Sequence, residues 1–231
     1  KAKADDRPTL IMLKSVIGKG APTVAGTAAA HGAPIGNDGI VEAKKTLGLD
    51  PEKKFHIEPL ALDWFASRRK ELAAAEATWN EKFAAWSAKN ADKRALWDAA
   101  FVEGGIDVSR LDTAELPAYK IGDSKATRAA SGEALNAFAK IFPNLVGGSA
   151  DLKGPNAVGI KGADVYGPES RGGRYLHYGV REFGMAAITN GIQVHGGFRA
   201  FCATFLIFSD YLRPALRLSA LMHLPVVYVL T

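Results

Sequence analysis

The chain has 231 residues, 48% hydrophobic and 23% charged, a balance that suits a globular protein with a sizeable core and excludes a wholly disordered one. No apolar run approaches the roughly 20 residues that cross a bilayer, and the opening KAKADDRP has no apolar signal core, so the expectation is a soluble, cytoplasmic protein with no membrane contact. The net charge of +5 comes from cations dispersed among acids, as in RRKELAAAEATWNEK, which argues against nucleic-acid binding and suits an enzyme of anionic substrates.

In chain order, residues 9–16 (TLIMLKSV) read as a strand, followed by a glycine- and alanine-rich loop over 17–39. Asn37 and Asp38 can cap a short helix that Gly48 ends. Phe65, Leu72, Trp79, Phe83 and Trp86 recur at helical spacing, giving a long helix from residue 61 to about 89 with packing aromatics, and a second helical piece reaches Phe101. Turn and linker signals fill 103–128, with a domain boundary near Gly105. Beyond it the pattern alternates: helix 131–141, strand 145–150, strand 175–178, helix 182–194, strand 198–205, helix 209–223 and strand 226–231. Alternating strands and helices imply an α/β fold with a doubly wound parallel sheet. Both ends read as cuts, since the chain opens on a strand and stops where a site-forming loop is expected.

Familiar signatures are missing: no Walker loop, no complete GxGxxG, no GxSxG elbow and no metal-ligand spacing among the five histidines and one cysteine. Cys202, in FRAFCATF, reads as a small buried residue. Glu182 stands out, because a carboxyl packed beside apolar groups loses hydration and can hold or hand over a proton near neutrality. It can equally be a helix-start acid facing the dipole, or a partner for Arg181, and spacing alone leans that way. His31, in AAAHGAPIG, suits a ligand or proton role, or a turn contact. Arg128 can grip a phosphate at a helix start, or simply face solvent. Phe205, Phe208 and Tyr211, at three-residue steps, form a stripe that taken alone reads as core rather than as a stacking platform.

HGAPIG at 31–36, GGSADL at 147–152, HYGVREFGMAAITNGI at 177–192, HGGF at 195–198 and TFLIFSDY at 204–211 together resemble the transketolases, in order along nearly the whole chain. The resemblance implies two incomplete domains of the thiamine-diphosphate-binding type joined by a linker. Residues 1–104 correspond to the end of the diphosphate-binding domain, and 105–231 to the linker and the start of the pyrimidine-binding domain. It also implies transfer of a two-carbon ketol unit between sugar phosphates, as in the pentose phosphate pathway and Calvin cycle, by a homodimer with active sites between subunits. Thiamine diphosphate serves as cofactor with Mg2+ or Ca2+, whose ligands are expected outside this chain.

By that resemblance Glu182 hydrogen-bonds the N1′ nitrogen of the cofactor's aminopyrimidine. Phe208 stacks on the same ring, and Phe205 and Tyr211 complete the aromatic pocket. His31 contacts donor sugar and cofactor, Ile17 wedges the cofactor into its bent form, Arg128 binds substrate phosphate and Asp151 orders the cofactor or its loop. Two departures are visible. Pro155 stands near a position where the family usually has a phosphate-binding serine, and the family's metal-binding GDG segment is missing, so the chain alone is expected to be inactive. A related thiamine-diphosphate enzyme of the dihydroxyacetone synthase kind and a non-catalytic interaction fragment remain the alternatives.

Overall fold

The computed structural model describes residues 2–101, 111 and 115–231, which fall into two compact units, Lys1–Asn80 and Glu81–Thr231. The boundary expected near Gly105 lies outside the described residues.

In the first unit the expected strand at 9–16 does not form. These residues have no regular structure, and Leu10, Ile11, Met12 and Leu13 are 86%, 78%, 87% and 83% exposed. A strand is stabilised by a paired neighbour, and every strand among the described residues lies between Leu145 and Leu230. The loop that follows closes on itself: the Gly26 N–H donates to the Ile17 carbonyl at 2.8 Å, and Ala28–Ala30 forms one 3-10 turn. Helix α1, Gly36–Thr46, has Ile35 at its N-cap with no side-chain cap bond, so Asn37 and Asp38 sit inside the first turn rather than capping it. Asp38 there faces the positive end of the helix dipole, and the positive φ of Gly48 follows the C-cap as expected.

Helix α2, Pro59–Lys89, and α3, Ala91–Phe101, match the helical spacing. The expectation that the α2 aromatics pack holds only toward its end. Trp64, Phe65 and Trp79 are exposed, whereas Phe83 and Trp86 are half-buried against Trp97, with centroids 5.3 and 6.5 Å away.

The second unit carries α4 (Thr127–Ile141), β1 (Leu145–Ser149), β2 (Tyr175–His177), α5 (Glu182–His195), β3 (Arg199–Thr204), α6 (Ser209–Leu221) and β4 (Val227–Leu230). Its four strands are all parallel in the order β2-β1-β3-β4. Both faces are covered, as a doubly wound sheet requires. Met185 and Ala186 of α5 and Leu212 and Ala215 of α6 pack with Cys202 and Tyr178 on one face. Leu135 and Ala139 of α4 pack with Tyr175, Phe201, Val158 and Ile160 on the other. Each large apolar side chain fully buried here contributes about 1.5–3 kcal/mol. Asn190 adds a polar tie within the core, its Nδ2 donating to the Ala215 carbonyl at 2.9 Å and its Oδ1 accepting from the Tyr228 hydroxyl at 2.8 Å.

Why β1 reads LVGGS follows from its central place. A Cβ on Gly147 would stand 2.2 Å from the Phe201 carbonyl oxygen, and one on Gly148 only 1.8 Å from that of Leu176. The strand therefore has glycine where both neighbours approach most closely. Because the chain runs from β1 to β2 on one side and then returns to β3 on the other, the strand order reverses at β1/β3, the place where open α/β sheets bind ligands beyond their strand ends.

Candidate active site

Such a pocket, of about 420 Å³, lies there, lined by Ala150, Asp151, Leu152, Val180, Glu182, Phe208 and Tyr211. Every one of these residues follows the carboxyl end of β1, β2 or β3.

Glu182 is placed by the turn between β2 and α5. Tyr178 buries its ring behind the strand, its hydroxyl 3.2 Å from Thr189 Oγ1, which itself donates to the Met185 carbonyl at 2.8 Å. Burial pushes the Tyr178 hydroxyl up to about 12, so it stays protonated as a core anchor. Gly179 then turns the chain with φ 70°, and the Arg181 N–H donates to its carbonyl at 2.9 Å. Glu182 opens α5 with 9% of its surface exposed. No ion pair joins it to Arg181 among the described residues, and its side chain makes no hydrogen bond there. The carboxyl is thus held at the positive end of a helix, facing a pocket, with its hydrogen-bonding capacity unspent.

The aromatic stripe is a ladder rather than core. Phe205 and Phe208 have centroids 6.0 Å apart at 32°, Phe208 and Tyr211 6.2 Å at 44°, and Tyr211 is 64% exposed. Phe208 and Tyr211 line the pocket, whereas Phe205 stands one ring further back. Asp151 is exposed at the mouth, in a left-handed conformation with φ 60°. The pocket therefore brings together Glu182, Phe208, Tyr211 and Asp151. Leu152 and Val180, which add apolar wall, were not anticipated, since single aliphatic residues in loops carry no sequence signal.

Arg128 sits exposed in the first turn of α4 and does not line this pocket. His31 and Ile17 are exposed in the other unit, His31 as the C-cap of its 3-10 turn. Cys202 is buried, and burial lifts its thiol to about 12, which removes it as a nucleophile. No group of three or more His, Cys, Asp or Glu suited to a metal occurs among the described residues, and no helix is long and apolar enough to cross a membrane.

A buried carboxyl with free hydrogen-bonding capacity beside a ring ladder, at the switch point of a parallel sheet, suits a flat heteroaromatic ligand with a ring nitrogen. The fold and this site define an α/β protein with a ligand pocket at the switch point of its parallel sheet. Residues 1–104 match the family model of the transketolase thiamine diphosphate binding domain, and residues 123–231 that of the transketolase pyrimidine binding domain. The chain belongs to the transketolase family. It is 57% identical over 230 residues to a transketolase of Treponema pallidum and 45% identical over 231 residues to that of Halalkalibacterium halodurans, covering all of this chain and 35% and 34% of those proteins. The solved transketolase of Campylobacter jejuni superposes with a TM-score of 0.72 at 36% identity over 98% of this chain and 33% of its own. That of Pichia stipitis in complex with sedoheptulose 7-phosphate gives 0.74 at 35% identity over 99% and 34%. The chain thus spans about a third of the length of these relatives.

Proposed function

We propose that this chain forms the pyrimidine-side half of a transketolase active site, within an enzyme that moves a two-carbon ketol unit reversibly from a ketose phosphate to an aldose phosphate. Residues 1–104 then belong to the diphosphate-binding domain, and 105–231 form the linker and part of the pyrimidine-binding domain, a division supported by the two family matches. The observation that carries the reading is Glu182, a buried carboxyl facing the pocket with no hydrogen bond among the described residues.

Thiamine diphosphate, when bound, supplies the nucleophilic carbon and the electron sink that ketol transfer needs. Glu182 would hold the aminopyrimidine, its unspent carboxyl serving as the hydrogen-bond partner of the N1′ nitrogen. Phe208 would offer a ring face to that pyrimidine, with Tyr211 as the wall beside it. Asp151 orders the pocket mouth at the end of β1. Arg128, with no ion-pair partner among the described residues, is the cation for a substrate phosphate, and sugar phosphates are the substrates that the Pichia stipitis complex makes the natural expectation. By the family resemblance alone, His31 is assigned to donor sugar and cofactor and Ile17 to the bend of the cofactor. A divalent cation, Mg2+ or Ca2+, is held by residues outside this chain.

The partner is a second copy of the same enzyme in a cytoplasmic homodimer. Supporting this, the side of α5 turned from the sheet exposes Phe183, Ile188 and Val194, and Leu206 and Ile207 beside the pocket are 61% and 73% exposed. Such an apolar surface next to a site fits an interface.

The test is ketol transfer by the full-length protein carrying this segment, with and without thiamine diphosphate and magnesium. Cofactor-dependent transfer that Glu182→Ala abolishes is the expected result. Turnover that persists without the cofactor, or in the variant, would overturn the assignment.

A further inference from the structure

The segment from Ser149 to Ala157 contains the Asp151 that lines the pocket, and two of its non-glycine residues adopt left-handed backbone geometry. Asp151 and Ala157, neither of them glycine, have φ of 60° and 55°. Aspartate tolerates this conformation, but for alanine it persists only where surrounding contacts over-determine it.

Two side-chain pins do so. At the near end Ser149, 1% exposed, bonds the Tyr175 hydroxyl at 2.7 Å and accepts from the Leu152 N–H at 3.0 Å. At the far end Asn156 is fully buried, and its Nδ2 donates to Thr231 Oγ1, 75 residues away, at 2.7 Å. Between the pins the Asn156 N–H donates to the Leu152 carbonyl at 2.9 Å, closing a helical turn just after Asp151. Thr231 is in turn fixed to the sheet, its N–H donating to the Thr204 carbonyl at 3.2 Å. The other amide atom, Asn156 Oδ1, is buried without a partner among the described residues. A buried amide left half satisfied costs stability, so packing alone is a poor reason for asparagine at this position.

We infer that Asn156 is a positioning residue: its bond to Thr231 holds the strained turn closed and so sets Asp151 and Leu152 at the mouth of the cofactor pocket. The inference rests on the proposed transketolase site, and it concerns how that site is held rather than which groups do its chemistry.

Asn156→Ala removes the pin, and the turn then relaxes toward ordinary φ. Cofactor affinity should fall while turnover at saturation is largely kept, because no group that faces the reacting atoms is lost. Strain relief supplies a specific rescue, since glycine adopts the φ of residue 157 without cost. The measurement is the Kd for thiamine diphosphate, in the presence of magnesium, by calorimetric titration of the full-length apoprotein, alongside kcat at saturating cofactor and the melting temperature.

Asn156→Ala should raise Kd roughly tenfold, the equivalent of about 1.4 kcal/mol of strain released, with kcat within about twofold. Asn156→Ala/Ala157→Gly should return Kd most of the way to the parent value. Thr231→Val, which removes the acceptor of the same bond and keeps the side-chain shape, should reproduce the single-variant shift and serves if the asparagine variant does not fold. An unchanged Kd in a folded single variant, or a glycine that worsens rather than rescues it, would overturn the inference. A lowered melting temperature with unchanged Kd would identify Asn156 as packing only. A parent protein with no cofactor-dependent turnover would instead remove the transketolase reading itself.

Discussion

The two units treat apolar sequence in opposite ways. TLIMLKSV in the first unit and RAFCAT in the second are both β-rich runs, yet the first lies exposed without regular structure and the second is the best-paired strand of the sheet. Gly39 is the only buried residue among those described in Lys1–Asn80, whereas the sheet of Glu81–Thr231 has a core on each face. Propensity does not separate them, since RAFCAT has no more strong β-formers than TLIMLKSV. What differs is a neighbouring strand on each side, which turns a tendency into hydrogen bonds and buried area.

This contrast can be broken at several points. The largest effect is expected for acid-base groups. Glu182→Gln keeps the side chain's size and removes its ability to pass a proton, and kcat of the full-length enzyme should fall roughly 10²–10⁴-fold. His31→Ala, at an exposed position of the first unit, should cost about tenfold in kcat/KM, the scale of a single charge-assisted contact. Equal losses would mean that burial is not what sets Glu182 apart.

Two methionines give the stability version of the comparison. Met185 is 0% exposed and Met12 is 87% exposed. Met185→Ala should lower the unfolding free energy by about 2–5 kcal/mol, and Met12→Ala by less than about 0.5 kcal/mol, as read from urea midpoints. A matching loss at Met12 would show that residues 9–16 are covered in solution.

Arg128→Ala should raise KM roughly ten- to a hundredfold for phosphorylated substrates and little for unphosphorylated ones. The same rise for both would argue against a phosphate contact.

The smallest effect lies at alkaline pH. Burial raises the Cys202 thiol from 9.0 to about 12 and the Tyr178 hydroxyl from 10.0 to about 12. Both groups therefore hold their protons in the folded state at pH values where the unfolded chain has lost them. Fewer protons bound on unfolding makes stability fall as pH rises from about 9 towards 12, with no pH dependence from these groups below that window. Denaturant midpoints taken across this range should show the decline, and Cys202→Ala should flatten its lower part. A midpoint that stays level to pH 12 would refute the buried-thiol linkage.

Much of the second unit was legible in its sequence. Strands at 145–150, 175–178, 198–205 and 226–231 were placed within one or two residues, because alternating β-rich and 3.6-periodic stretches admit few other foldings. Glu182 was legible as an acid out of place, but not the choice between helix cap and proton carrier. It is in fact both the first residue of α5 and a wall of the pocket. Spacing alone leaned to core for the aromatic stripe, since three-residue steps fit a core face and a half-exposed ladder equally well; the family motifs assigned it to the cofactor pocket, and position beyond β3 is what separates the two. Asn156 carried no signal beyond its neighbourhood, because its partner lies 75 residues away.

The sequence by itself determined the class of fold, the helices and the family, since these rest on local periodicity and on motifs read in order. Tertiary structure alone decided that TLIMLKSV is no strand, that Leu152 and Val180 wall the pocket while Phe205 stands behind it, and that Asn156 reaches Thr231. The physical reason is the same in each case: pairing, enclosure and a bond across the sheet depend on which distant residues the crossovers bring together, and no local pattern encodes that.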